Sequence, residues 1–181
     1  MNHINNNEPW DRYYGYKTAY KSRTARNGNK KNGFKSINNS PGVDKDDQSI
    51  KNWDPVRYQA ATINANIQLV YKHCLNPIKD QFPNVKPTST YRCKELNRAI
   101  TTSRNSQHTE GMAVDFVDIS GVTTSQIFNW ARWNLPAFYQ LIWEFPERGP
   151  VGSGHPKSCS WIHISYGSNN HRDSTLACSY K

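Results

Sequence analysis

SQHTEGMAVDFVDI, residues 106–119, is the most informative segment of the chain. From Met112 to Ile119 it is rich in Val, Phe and Ile, residue types that favour strands. Asp115 stands among Ala113, Val114 and Phe116, where a carboxylate is costly unless it is paired or binds a metal. His108 lies just before this strand. Gly111 between the two lets the chain turn so that both side chains converge.

Upstream, a helix start is written at residues 53–55, where Asp54 can cap and Pro55 suits the first helical position. Apolar residues then recur at Ile63, Ile67, Val70, Tyr71, Cys74 and Ile78, the spacing of one helix face. Pro77 is expected to end or kink that helix. Residues 85–91 read as a short strand and 94–100 as a short helix. Thr123 or Thr124 can cap a helix running to about Leu135, stopped by Pro136. Residues 140–145 (QLIWEF) and 161–166 (WIHISY) are further strands, with a Gly/Pro-rich loop over 146–160. The order predicts an α+β fold, with helices packed on a small, mainly antiparallel sheet.

The chain has 181 residues, a formal charge of +9 and a mean hydropathy of −0.87. That length suits one domain plus an appendage, and the low hydropathy argues that part of the chain is tail. Residues 1–43 hold eight Lys/Arg against two acids, a net +6, in an Asn/Gly/Ser-rich context without apolar period. The expected organisation is a basic polar arm over 1–52, a folded domain over 53–167 and a polar, peripheral tail over 168–181. Three readings of the arm stay open: a solvated segment, a docking arm for a protein assembly, and a nucleic-acid-binding arm whose aromatics stack on bases. No apolar run approaches the roughly 18 residues of a membrane span, and the N-terminal residues do not read as a secretory signal. Cys74, Cys93, Cys159 and Cys178 show no C-x-x-C pair, which argues against a cysteine zinc site. Reduced thiols are the default, with a single bridge as the alternative.

The chemistry-bearing residues lie far apart. On strand periodicity Trp161, His163 and Ser165 share one face, while Ile162 and Ile164 point into the core. A histidine so placed is aimed at a cleft. His108, Asp115 and His163 make a borderline-soft set that suits zinc, leaving a fourth position for water.

The pattern Ser-x-His-x-x-Gly-x-Ala-x-Asp over residues 106–115, followed by Trp161-Ile162-His163, resembles the zinc peptidases of the D-Ala-D-Ala carboxypeptidase and L-Ala-D-Glu endolysin family, whose fold is shared with lysostaphin and the hedgehog signalling domain. Ser89-Thr90-Tyr91-Arg92 with Leu96-Asn97 is similar to that family's arginine segment, and residues 140–145 to the strand before the last ligand. The resemblance covers about residues 53–167. It implies His108, Asp115 and His163 as zinc ligands and Arg92 as the group that stabilises negative charge on the substrate. Some relatives place an acid three residues before the last histidine, where this chain has Ser160. Glu144 is the substitute as general base, resembling an acid in phage-type sequences, with Glu147 and Glu110 behind it. Ser106, Gln107 and His155 are candidates for lining the substrate site.

The implied activity is zinc-dependent hydrolysis of peptidoglycan stem peptides by a phage endolysin or virion-associated lysin. It would reach the wall from the host cytoplasm or on a virion tail, where the arm would contact other tail proteins. The competing expectations are a non-catalytic zinc-binding structural or receptor-binding component, and nucleic-acid binding through the arm.

Overall fold

A computed structural model describes residues 19–20, 22, 25, 39, 55–103, 105–120, 122–149, 151–152, 159–167 and 175–178. Helix α1 (Pro55–Val70) begins at Pro55, whose fixed φ and missing N–H suit the first helical position. Asp54, its expected cap, lies outside the described residues. Helicity does not stop at Pro77. It passes through a π-helical turn, Tyr71–Leu75, into α2 (Asn76–Gln81). A proline inside an α-helix lacks one N–H donor and pushes its ring against the carbonyl four residues back. Here the turn before Pro77 is widened, and the Asn76 N–H reaches back five residues to the Tyr71 carbonyl. The proline is absorbed rather than obeyed. The expected apolar face is buried throughout: Ile63, Ile67, Val70, Tyr71, Cys74 and Ile78, joined by Leu75. Burial pushes the Cys74 thiol far above its ordinary range. Cys74, Cys93 and Cys159 are all free thiols. Among the described residues no helix is long and apolar enough to cross a membrane.

The chain divides into two compact units. The first combines residues up to 68 with residues 89–112, and so holds most of α1, the short helix α3 (Lys94–Ile100) and a 3-10 turn, Gln107–Glu110. Cys93 caps α3, its Sγ accepting the Leu96 N–H at 3.4 Å. Asn66 of α1 donates to the Glu110 carbonyl at 2.8 Å. Gly111 ends the turn at φ +72°, and a Cβ there would lie 2.7 Å from the Ile63 carbonyl oxygen. Left-handed backbone and close approach both demand glycine. Gly111→Ala is therefore expected to destabilise the fold by about 2–4 kcal/mol. Urea unfolding measures this, and a loss under about 1 kcal/mol would show that helix and turn move apart freely. Residues of the supposed arm belong to this unit too. Ala19 and Ala25 are buried, and the Tyr20 ring meets Tyr91 edge-on at 5.7 Å.

The second unit, residues 69–88 and 113 onward, holds the sheet. Its strands are β1 (Val85–Ser89), β2 (Ala113–Asp118), β3 (Gln140–Glu144), β4 (Trp161–Ser165) and β5 (Thr175–Cys178). Their spatial order is β1-β2-β4-β3-β5. β4 runs antiparallel to both β2 and β3, whereas β5 runs parallel to β3. The polar C-terminal segment thus supplies an edge strand that its composition does not announce. One face of the sheet is apolar: Val114, Phe116, Leu141, Ile162 and Ile164 are almost wholly buried. Helix α4 (Thr124–Asn134) brings Ile127, Phe128 and Ala131 to this core. Each such Ile, Leu or Phe contributes about 1.5–3 kcal/mol. A capping box starts α4, with Thr123 and Gln126 bonding each other's backbone N–H. Pro136 follows its C-cap Leu135. The fold is α+β as expected, with helices and a small, mainly antiparallel sheet.

Candidate metal centre

His108 sits in the 3-10 turn and is 3% exposed. Its Nδ1 lies 2.6 Å from the Thr90 carbonyl oxygen. A carbonyl only accepts, so Nδ1 carries a proton, and in the neutral ring the lone pair is then on Nε2. The turn is tied to the same extended segment a second time, because the Arg92 N–H donates to the His108 carbonyl at 3.1 Å. Tautomer and ring orientation of His108 are therefore fixed by backbone, the arrangement that a metal-binding imidazole needs.

Asp115 and His163 face each other across β2 and β4 as directly opposed residues. Opposed side chains lie on the same sheet face. His163 Nδ1 and Asp115 Oδ1 are 2.8 Å apart, and the two residues are 9% and 7% exposed. Neighbours along the strands, Val114, Phe116, Ile162 and Ile164, point to the apolar core on the other face. The sequence pattern places two polar groups on one face, and the register decides that they meet.

His108, Asp115 and His163 form a buried group whose donor atoms all lie within 4.8 Å of one another. Ligand bonds of about 2.0–2.2 Å make a shell roughly 4 Å across, so small side-chain movements let three such donors share one ion. Two imidazoles and one carboxylate are a zinc set with room for a fourth ligand. The donor chemistry and the spacing fit the metal.

The register also locates Glu144. Ile142 opposes His163, and Glu144 opposes Trp161. By alternation Ile142, Glu144, Trp161, His163 and Asp115 share one sheet face, with Glu144 diagonal to His163. Such diagonal neighbours are about 7–8 Å apart, within reach of a long side chain or one water. Strand parity within β3 alone places Glu144 with Ile142 and goes no further; pairing with β4 supplies the link to His163.

Arg92 donates from Nε to Ser89 Oγ at 3.1 Å. Ser160, three residues before His163, is 1% exposed, with its Oγ 2.7 Å from Thr124 Oγ1 and 2.8 Å from the Gly149 carbonyl. It pins the start of β4. The main chain of Ser106 and Gln107 builds the histidine turn, the Ser106 carbonyl accepting from Thr109 and the Gln107 carbonyl from Met112. Glu110 is exposed, and Glu147 is exposed beside Arg148 at 3.7 Å. His155 lies outside the described residues, as do His3 and His171. His73 stacks flat on Tyr166 at 4.6 Å.

Two features escape sequence reading. Thr90 acts through its carbonyl, a group every residue possesses. Phe145 adopts φ +51°, a conformation rare outside glycine, and the Arg148 guanidinium lies 3.4 Å over its ring, with the Trp161 ring 5.0 Å from it. This cluster holds the chain turn that follows Glu144.

The sequence model of the family described as Peptidase M15 matches residues 56–165, from the first turn of α1 to the end of β4. That span contains all three members of the buried group. No curated protein matches the chain.

Proposed function

The chain belongs to the Peptidase M15 family, whose members are zinc metallopeptidases, and from that premise we propose that it hydrolyses stem-peptide bonds of bacterial peptidoglycan. The observation that carries this reading is the buried convergence of His108, Asp115 and His163. His108 through Nε2, Asp115 through its carboxylate and His163 would hold the ion. When bound, zinc lowers the pKa of water towards neutrality and polarises a peptide carbonyl. Glu144 takes the proton of the attacking water and returns it to the leaving amine. Arg92, steadied by Ser89 and by its backbone tie to His108, offers its guanidinium to the charge that develops on the scissile carbonyl.

The order of elements and the site pattern support a hedgehog/D-Ala-D-Ala peptidase-like fold. The bond cut is then D-Ala-D-Ala at the stem terminus or L-Ala-D-Glu within it. The resemblance of Glu144 to an acid in phage-type sequences favours a lysin delivered from the infected cytoplasm or on a virion tail. A net charge of +9 steers such a protein to an anionic wall.

Mass analysis of muropeptides after digestion of purified sacculi, with and without chelator, tests the reading. Loss of a terminal alanine marks the carboxypeptidase, and release of the whole stem below L-alanine marks the endopeptidase. Either product should vanish with chelator and return with zinc. A protein that binds zinc stoichiometrically yet yields neither product would be the non-catalytic binding component, a role the hydrogen-bonded Ser160 would suit.

A further inference from the structure

The extended segment Thr90–Cys93 is held from both sides. On one side the Thr90 carbonyl accepts from His108 Nδ1, and the Arg92 N–H donates to the His108 carbonyl. On the other, the alternate residues Tyr91 and Cys93 turn to the N-terminal part of the chain. The Tyr91 N–H donates to the Ala19 carbonyl at 3.1 Å. Asn39 completes this side with one carboxamide: Nδ2 donates to the Tyr91 carbonyl at 2.9 Å and to the Tyr20 carbonyl at 3.1 Å, while Oδ1 accepts the Cys93 N–H at 2.8 Å. Asn39 is 7% exposed, and Ala19 is fully buried. Alternating bonds to two flanks are the pattern of a strand between neighbours. Here the neighbours are a histidine turn and a segment whose composition reads as tail.

We propose that Asn39 is a positioning residue for the metal centre: it fixes the Tyr91–Cys93 backbone so that the Thr90 carbonyl holds His108 in the metal-binding tautomer and Arg92 stays beside it. This rests on the zinc-peptidase reading for what the centre does, though not for its effect on metal affinity. A side chain that spans three backbone groups acts as a missing strand would. Removing it takes one bond each from the Tyr91 carbonyl and the Cys93 N–H, and the slack reaches Thr90 and Arg92 through the covalent chain. Groups that orient a metal-binding histidine typically change metal affinity or activity by about 10–100-fold.

Full-length Asn39→Ala and Asn39→Asp test this, Asn39→Asp keeping size and acceptor but losing both donors. Zinc affinity is read by chelator competition, and the cobalt(II)-substituted proteins give a visible spectrum of the centre. Both variants should bind zinc about 10-fold or more weakly, with altered cobalt absorption and a reduced kcat at little changed KM. If thermal stability falls while zinc affinity and cobalt spectrum stay as in the parent, the segment is only a stabilising strap and the proposal is overturned. Should Asn39→Ala not fold, Asn39→Asp carries the same two readouts. A parent protein inactive on every stem peptide would sink the proposed function, while the affinity and spectral comparison would still decide the role of Asn39.

Discussion

His163→Ala should abolish stoichiometric zinc binding and slow stem-peptide hydrolysis by about 10⁴-fold or more. Lewis-acid assistance is worth several kcal/mol of transition-state stabilisation, and about 5–6 kcal/mol corresponds to that factor. Asp115 and His108 remain after the substitution, but two donors make a weak zinc site at neutral pH. His163 is also the 2.8 Å neighbour of Asp115, so its loss takes a partner from a carboxylate that is 7% exposed. The metal-free variant should therefore lose about 1–3 kcal/mol of stability relative to the metal-free parent. Comparing both proteins under chelator separates this cost from the loss of metal. Metal analysis after gel filtration and a muropeptide assay read the two effects. A variant that retained one equivalent of zinc and near-parental turnover would show that the three side chains do not share an ion, and the hydrolytic reading would fall with them.

The parts of the molecule legible in the sequence are those written in local pattern. The capping signal at Thr123, the apolar spacing from Ile63 to Ile78 and the β-rich run after Met112 each specify an element through neighbours in the chain. The candidate centre was legible because its residue types are costly where they stand: a buried aspartate amid Val114 and Phe116 calls for a partner. What was not legible depends on pairing at a distance. Nothing near Pro77 says that a widened turn will carry the helix past it. The four residues of β5 form a strand because β3 offers them an edge, not because Thr175–Cys178 insist on it. Asn39 in an Asn-rich, basic stretch looks like any solvated amide until three backbone partners surround it. The register of β3 against β4 is of the same kind. It turns the parity of Glu144 from an open question into a placement on the face of His163 and Asp115.

That placement gives the second large effect. Glu144→Gln should lower kcat by about 10³-fold, within the range of a lost general base, while zinc stays bound. The amide keeps the shape of the side chain and removes its ability to take a proton, so the fold and the ion are spared. Among the carboxylates considered, Glu110 is exposed in the histidine turn, and Glu147 is exposed and paired with Arg148. Neither has a strand to aim it. Glu144 does: it ends β3 opposite Trp161, and the cluster of Arg148, Phe145 and Trp161 packs at the chain immediately after it. Ser160, where some relatives carry an acid, brings no carboxylate, and its hydroxyl is committed to Thr124 and Gly149. Parallel Glu147→Gln and Glu110→Gln variants should keep turnover within about 3-fold, since exposed charges couple weakly to a buried site. Steady-state kinetics with metal analysis on all three variants makes the comparison. If Glu144→Gln hydrolyses as the parent does and Glu147→Gln does not, the base is carried by the turn after β3 rather than by the strand. The sheet register would then position the metal-binding pair without positioning the proton acceptor.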